Sequence, residues 1–556
     1  MVHPLILFIG LWSSVTSPQY TSRVSLDDGG LGGAGASVNP ALSGSGRHVA
    51  FQSSAPLDPN ASGFTDVYVR DRTASTISLL SLSYLGGPSN SNSTDSTLSD
   101  DGRYVAFQSN ASNLVAGDLN GYGDVFLVDR DPDLNGTFDE GNSTLTRLSV
   151  NGGGTEGNGP SSLPVLSGDG RYVTFISIAN NLVANDVNGM PDQFVCEVAT
   201  GNLTMLSLAS NGTQGNLPSG PGVLSQDGRF LSFTTQSTNF AAGDTNGQPD
   251  IYLHDRDPDG NSIFDEGNGT TTWVSYTSGG GPANASCSNA DLSGNGNGLV
   301  FQSAATNMTP SSGAGISQIY YRHISSGQLT LISRNILSQV GNDASTYPEI
   351  SFDGEAVVFQ SRADNLVSGD TNNWDDAFLT DLVGMTMERI SVTVEGNEIP
   401  LYSHLPTIGA TKNEVAFQSP DDTIVPHDTN SDLDIFVRGE GNWSPQLLVG
   451  TLQRGTLTGA MTCNGVPGET AWFLYSFTGL GVGPCPPALG GLCLDLLSPV
   501  SISGSAVTDP DGTATLFFTV PNNAPLVDVY VQAVIQRGIG NNKSAKSNAV
   551  TGTIIP

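Results

Sequence analysis

Strand-like stretches of five to seven residues, each with a short apolar run, recur along this chain between clusters of Gly, Asn, Asp and Ser. Stretches of that length between turn-forming clusters predict β-strands, and they fill almost the whole of the 556 residues. One run returns seven times. A Leu-Ser-x-Asp-Gly turn leads into a short apolar stretch ending in Phe, usually Phe-Gln-Ser, at Phe51, Phe107, Phe175, Phe233, Phe301, Phe359 and Phe417. The separations are 56, 68, 58, 68, 58 and 58 residues, and a period of this size predicts a repeat architecture.

The second repeat shows the unit. Leu98-Ser99-Asp100-Asp101-Gly102 is a turn, and Arg103 to Ser109 is a strand. A loop with Asp118, Asn120 and Asp124 follows, then a strand from Val125 to Val128 and a closing strand from Leu145 to Val150. Together with a fourth, weakly marked strand, this makes a propeller blade. Apolar residues at both parities of the Phe strand fit blades that are packed on both faces. Two repeats are ten residues longer, because Asp131–Glu140 and Asp257–Glu266 are inserted in them. At the N-terminus, Thr21 to Gly30 matches the end of a repeat and has no blade of its own, whereas the seventh repeat lacks that ending. Ring closure accounts for both: the N-terminal strand completes blade seven and leaves no open sheet edge. The expected fold is therefore all-β, a seven-bladed β-propeller closed by an N-terminal strand and followed by a small β-sandwich.

The phrase Leu-Ser-x-Asp-Gly-Arg-Tyr-Val-Ala-Phe-Gln-Ser, with Asp-[Val/Ile]-[Phe/Tyr]-x-x-Asp-Arg after it, resembles the TolB-like or PD40 propeller repeat, a relative of WD40. The resemblance spans roughly residues 20 to 440. It is weaker in repeat three, which has Phe-Ile-Ser, and in repeat five, where Asn295-Gly296-Asn297-Gly298 replaces the turn. It implies a scaffold that binds proteins, peptides or glycans; it implies no reaction.

Residues 1–17 read as a signal peptide, with the apolar run Pro4 to Trp12 followed by small residues, although only His3 precedes the run. Residues 18–444 are assigned to the propeller and 445–556 to the C-terminal β domain. Phrases in that domain, such as Val-Tyr-Val-Gln-Ala and Ser-Asn-Ala-Val, look like a terminal domain carried by exported bacterial proteins. An extracytoplasmic location (periplasmic, cell-surface or secreted) is expected, and no later stretch is long enough to span a membrane. A disulfide among Cys463, Cys485 and Cys493 is expected, with its pairing open; Cys196 and Cys287 read as buried thiols.

The formal charge of −33 argues against nucleic acid as a partner and leaves solubility or cation binding as uses for the acids. Five repeats place Asp-x-Asn and a further Asp at one position: Asp118, Asn120, Asp124; Asp186, Asn188, Asp192; Asp244, Asn246, Asp250; Asp370, Asn372, Asp376; and Asp428, Asn430, Asp434. Repeat one stretches the pattern over Asp58, Asn60 and Asp66, and repeat five has lost it between Thr309 and Gln318. Two readings compete. Such loops are common hairpin turns capped by an Asp, and they also offer the hard oxygens that calcium takes. In the inserts calcium is the favoured reading. Asp131, Asp133, Asn135 and Asp139 stand at offsets 1, 3, 5 and 9, and Asp257, Asp259, Asn261 and Asp265 repeat them. That is the first half of an EF-hand loop. Offset 12 is Asn142, so Glu140 must stand in for the missing Glu. Ca2+ is the expected cofactor, as a structural ion.

No HExxH or GxSxG occurs, and His48, His254 and His427 read as packed or solvated residues. The sequence thus points to a binding or scaffold protein for a protein, peptide or glycan ligand. A lyase or glycosidase acting on the propeller face is the alternative, and a purely structural surface protein the third reading.

Overall fold

A computed structural model describes residues 19–440 apart from 314, 395, 426 and 427; beyond 440 it describes only the backbone of separate strands. The predicted signal peptide and the side chains of Cys463, Cys485 and Cys493 lie outside the described residues. The latter strands pair into a three-stranded and a six-stranded sheet. Their packing into a sandwich lies outside the described residues.

Between Gln19 and Glu440 the chain forms seven four-stranded antiparallel sheets. Blade one shows the order, from the axis outward: β2 (Ser37–Leu42), β3 (His48–Ser53), β4 (Asp66–Asp71) and β5 (Thr76–Leu79). The weakly marked fourth strand is the innermost one. β1 (Gln19–Arg23) pairs antiparallel with Asp434–Glu440, from Gln19 opposite Glu440 to Arg23 opposite Phe436, and so completes blade seven. The ring closes as the orphan repeat ending predicted.

Each Phe of the repeated phrase is fully buried. Each also stacks on the aromatic residue opposite it in the next strand, from Phe51 on Tyr68 at 5.9 Å to Phe417 on Phe436 at 5.8 Å. Offset stacking of this kind adds about 0.5–1.5 kcal/mol per pair beyond burial. Every blade therefore has its own aromatic centre, and the apolar clusters continue from one blade into the next.

The Gln of Phe-Gln-Ser links the blades. Each inner strand carries a bulge after its second residue. The third residue has φ between 48° and 54° at Asn39, Asp95, Leu163, Asn289, Tyr347 and Leu405. For Leu and Tyr this left-handed conformation is strained. In five of these blades the N–H freed by the bulge finds its acceptor in the preceding blade. Gln418 Oε1 accepts from Asn39, Gln52 from Asp95, Gln108 from Leu163, Gln302 from Tyr347 and Gln360 from Leu405, at 2.8–3.1 Å. Blade four has Pro221 at this position, which carries no N–H, and the blade before it has Ile176 in place of Gln. There the donor and its acceptor are lost together, whereas blade five keeps Asn289 and follows a blade with Thr234 in place of Gln.

Replacing Gln360 with Leu should therefore cost about 1–3 kcal/mol, because the Leu405 N–H loses its acceptor. Ile176→Val, next to Pro221, should stay within about 1.5 kcal/mol. Urea denaturation of the two variants checks the difference.

Candidate functional site

The strand directions sort the acidic loops onto two faces. The loop from second to third strand, which holds the Asp-x-Asn motifs, lies at the end of the blade where the inner strand begins. The Leu-Ser-x-Asp-Gly turns and the two inserts lie at the other end. The fold thus puts triads and inserts on opposite faces.

At the turn face the axis is closed. Backbone hydrogen bonds run from turn to turn around the whole ring: Gly44 to Asp100, Asp100 to Gly168, Asp169 to Gln226, Gln226 to Gly294, Gly294 to Phe352, Asp353 to Ala410 and Ala410 back to Gly44, all at 2.8–3.0 Å. Above the blade-three turn, Gln226 Nε2 donates to Asp100 Oδ2 at 2.9 Å. A Cβ on Gly168 would lie 2.8 Å from Asp100 Oδ2 and 2.9 Å from Gln226 Cγ, so this position has no room for a side chain.

The inner strands enclose a cavity of about 600 Å³ along the axis. Its wall is built largely of Pro, Leu, Val and Ala, with Tyr347 at the bulge end and Phe352 at the turn end, and it contains no Lys or Arg. Three carboxyl-bearing residues line it, Asp95, Asp291 and Glu349, the last two from adjacent blades. Asp291 Oδ2 accepts from the Ile350 N–H at 2.7 Å, and Glu349 Oε2 from the Ile408 N–H at 3.3 Å. Burial pushes the Asp291 carboxyl above its ordinary value. Burial, and then the Asp291 charge, push Glu349 up as well. Asp291 and Glu349 were not singled out in the sequence, because an acid in an inner strand is indistinguishable there from dozens of turn acids.

The triads are held by their own blades. In blade two Asn120 Nδ2 donates to Asp124 Oδ2 at 3.0 Å, while Asn120 Oδ1 accepts from the Tyr122 N–H at 2.9 Å. Asn188, Asn246, Asn372 and Asn430 use Oδ1 in the same turn. Arg147 then reaches Asp118 at 3.2 Å, Asp124 at 3.4 Å and Glu156 at 2.6 Å. Arg389 repeats this with Asp370, Asp376 and Glu398 at 3.5, 3.5 and 2.6 Å. In blade seven the arginine comes from the closing strand, with Arg23 at 2.7 Å from both Asp428 and Asp434. Burial pushes Asp370 up to about 7 and Asp376 up to about 6. In blade four Asp244 accepts from the Tyr252 hydroxyl at 2.8 Å, and Asp250 from Asn246 at 2.8 Å and the Trp273 indole at 3.1 Å. In blade one Asp66 accepts from Ser81 and Ser89.

In the inserts, Asp131 accepts from the Asn135 and Gly136 N–H groups at 3.0 and 2.9 Å, and Asn135 Nδ2 lies 3.1 Å from Asp133 and 2.7 Å from Glu140. The second insert places Asp257, Asp259, Asn261 and Glu266 alike. The acid at offset 9 is engaged elsewhere: Asp139 pairs with Arg130 and Asp265 with Arg256, each at 2.5 Å. Asp131, Asp133, Asn135 and Glu140 are thus the oxygen-bearing side chains gathered in the loop.

His48 is buried 3.4 Å from Asp71, and His254 is buried with its Nδ1 2.8 Å from Thr271 Oγ1. Burial pushes His254 down to about 4. His427 lies outside the described residues. Cys196 and Cys287 are buried free thiols.

Among solved structures the chain is similar to TolB from Acinetobacter baumannii (15% identity, TM-score 0.33, 62% of this chain and 63% of that one). It is also similar to a putative TolB from Agrobacterium tumefaciens (12%, 0.30, 68% and 95%) and to the Dos1 propeller (11%, 0.36, 76% and 96%). The chain is a seven-bladed β-propeller. The match spans less than two thirds of the length of the Acinetobacter TolB. No family model matches the sequence, and neither does any curated protein. Among the described residues no helix is long and apolar enough to cross a membrane.

The Asp291–Glu349 pair sets a pH dependence. Both carboxyls bind protons more tightly folded than unfolded, so their contribution is most favourable below the ordinary carboxylate value near 4 and declines as pH rises through their raised values. Glu349→Gln should raise the melting temperature at pH 8 and change it little at pH 4, as measured by circular dichroism.

Proposed function

We propose that this propeller is an extracytoplasmic binding scaffold that takes a peptide segment of a partner protein into the axial cavity, from the face that carries the Asp-x-Asn loops. The observation that carries this reading is the cavity itself: about 600 Å³, ringed by seven inner strands and closed at the turn face. A concave, mostly apolar site with a few fixed polar groups is what a binding pocket requires. The acids and the lack of basic residues favour a segment with apolar and cationic side chains over an anionic glycan. Tyr347, at the bulge end and about half exposed, is the natural anchor.

Fluorescence polarisation with a library of short lysine-containing apolar peptides tests the reading. Tyr347→Ala should weaken the best binder by about tenfold, the size of a hot-spot loss near 1.4 kcal/mol. The same cavity offers a second reading, a carbohydrate-active enzyme, and the Asp291–Glu349 pair is what favours it, since a carboxyl with a raised value can serve as a general acid. Release of reducing or unsaturated ends from a polysaccharide panel, lost in Glu349→Gln, with no peptide bound, would replace the first reading by the second.

Calcium is the ion we propose for the inserts, where Asp131, Asp133, Asn135 and Glu140, and their counterparts Asp257, Asp259, Asn261 and Glu266, would hold it. Its role there is to rigidify the loops by binding only the folded state. Calcium should raise the calorimetric melting temperature relative to chelator, and Asp133→Asn with Asp259→Asn should remove most of that rise.

A further inference from the structure

The five acidic triads differ in what balances them, and blade three stands apart. The residue that faces the third strand's aromatic position is Arg147 opposite Phe126, Arg389 opposite Phe378 and Arg23 opposite Phe436. In blade three this residue is Met205, opposite Phe194. Met205 is 2% exposed and brings no charge. Nine residues further on, Glu156 and Glu398 complete the arginine sites, whereas blade three has Gln214. The Gln214 amide donates to Asp186 Oδ1 at 2.9 Å and to Asp192 Oδ2 at 2.8 Å, and Ser207 donates to Asp192 Oδ1. That leaves Asp186 Oδ2. The residue is 6% exposed, and this oxygen is enclosed without a hydrogen-bond partner. Among the described residues no cation pairs with either acid.

The other blades avoid this situation. Blade four meets its two acids with a phenol and an indole. Blade five has Gln318 in place of the second acid. In blade seven Asp434 Oδ2 also lacks a hydrogen bond, but Arg23 lies 2.7 Å from the other oxygen of that carboxylate. Two carboxylates enclosed together without a counter-charge are costly, and a free carboxylate oxygen beside a second carboxylate is a ligand set for a hard cation.

We propose that blade three binds one calcium-type cation between Asp186 and Asp192, in the position that a guanidinium fills in blades two, six and seven. Gln214 turns its Nε2 to both acids while its Oε1 accepts from the Val187 N–H at 3.1 Å, so the ion takes the place of that Nε2. The site is separate from the inserts: it lies on the opposite face and uses a different blade.

The test counts ions. Native mass spectrometry in calcium, on the full chain, compares wild type with Met205→Arg, which copies the arginine blades, and with Asp186→Asn. Each variant should bind one ion fewer than wild type. In chelator, Met205→Arg should melt several degrees above wild type, and its rise on adding calcium should be smaller. Equal ion counts in the three proteins would overturn the proposal, as would a Met205→Arg protein no more stable than wild type in chelator. Should Met205→Arg fail to fold, the Asp186→Asn count decides alone. Because the comparison is a difference of one ion within an unchanged insert background, it stands whether or not the inserts bind calcium.

Discussion

In five of the seven blades one backbone N–H depends on a neighbour. The bulge in the inner strand turns the third residue into the left-handed region and removes its amide from the ladder of its own sheet. An amide taken out of its ladder needs another acceptor. Here it finds the glutamine of the preceding blade, five times around the ring. No blade that uses this device is complete alone. The same bulge also shapes the inner wall of the cavity, so the interaction that holds blades together also forms the surface offered to a ligand. At the opposite end, the turn-to-turn backbone ring does the equivalent work with peptide groups alone.

The charge distribution follows a similar logic. With 53 acids against 20 bases, most carboxylates must be satisfied by hydroxyls, amides and backbone N–H groups. Three arginines, Arg23, Arg147 and Arg389, go where two or three acids are enclosed together. The burial of Asp370 and Asp376 beside one arginine shows how finely these clusters are balanced, since both carboxyls are held well above the ordinary range.

Much of the fold could be read from the sequence, and particular residues explain why. Phe51 and its six counterparts are invariant within the chain because each fills the same enclosed space against the same partner strand. The closing strand was visible as Arg23-Val24-Ser25, a repeat ending without a repeat. The cavity was not visible. The residues that line it, such as Asn39, Asp95, Leu163 and Tyr347, differ from blade to blade because their side chains point to the axis, where no sheet partner constrains them. The arginine clusters were missed for another reason. Arg147 meets Asp118 across 29 positions of sequence, and the signal appears only when blades are aligned and Arg, Met and Trp are seen to alternate before the same Leu-Ser, Val-Ser or Ile-Ser pair. In the inserts, the spacing suggested Asp139 as a ligand, but spacing alone could not show that Arg130 already holds it.

Ring closure has one more consequence, for how this chain is made. Arg23 and Asp434 are 411 positions apart, so the last blade cannot form until nearly the whole propeller has been synthesised. Contacts of such long range are slow to form. Before β1 docks, blade seven holds Asp428 and Asp434 side by side with no arginine between them. The N-terminal strand is thus a latch that also delivers the counter-charge to Asp428 and Asp434.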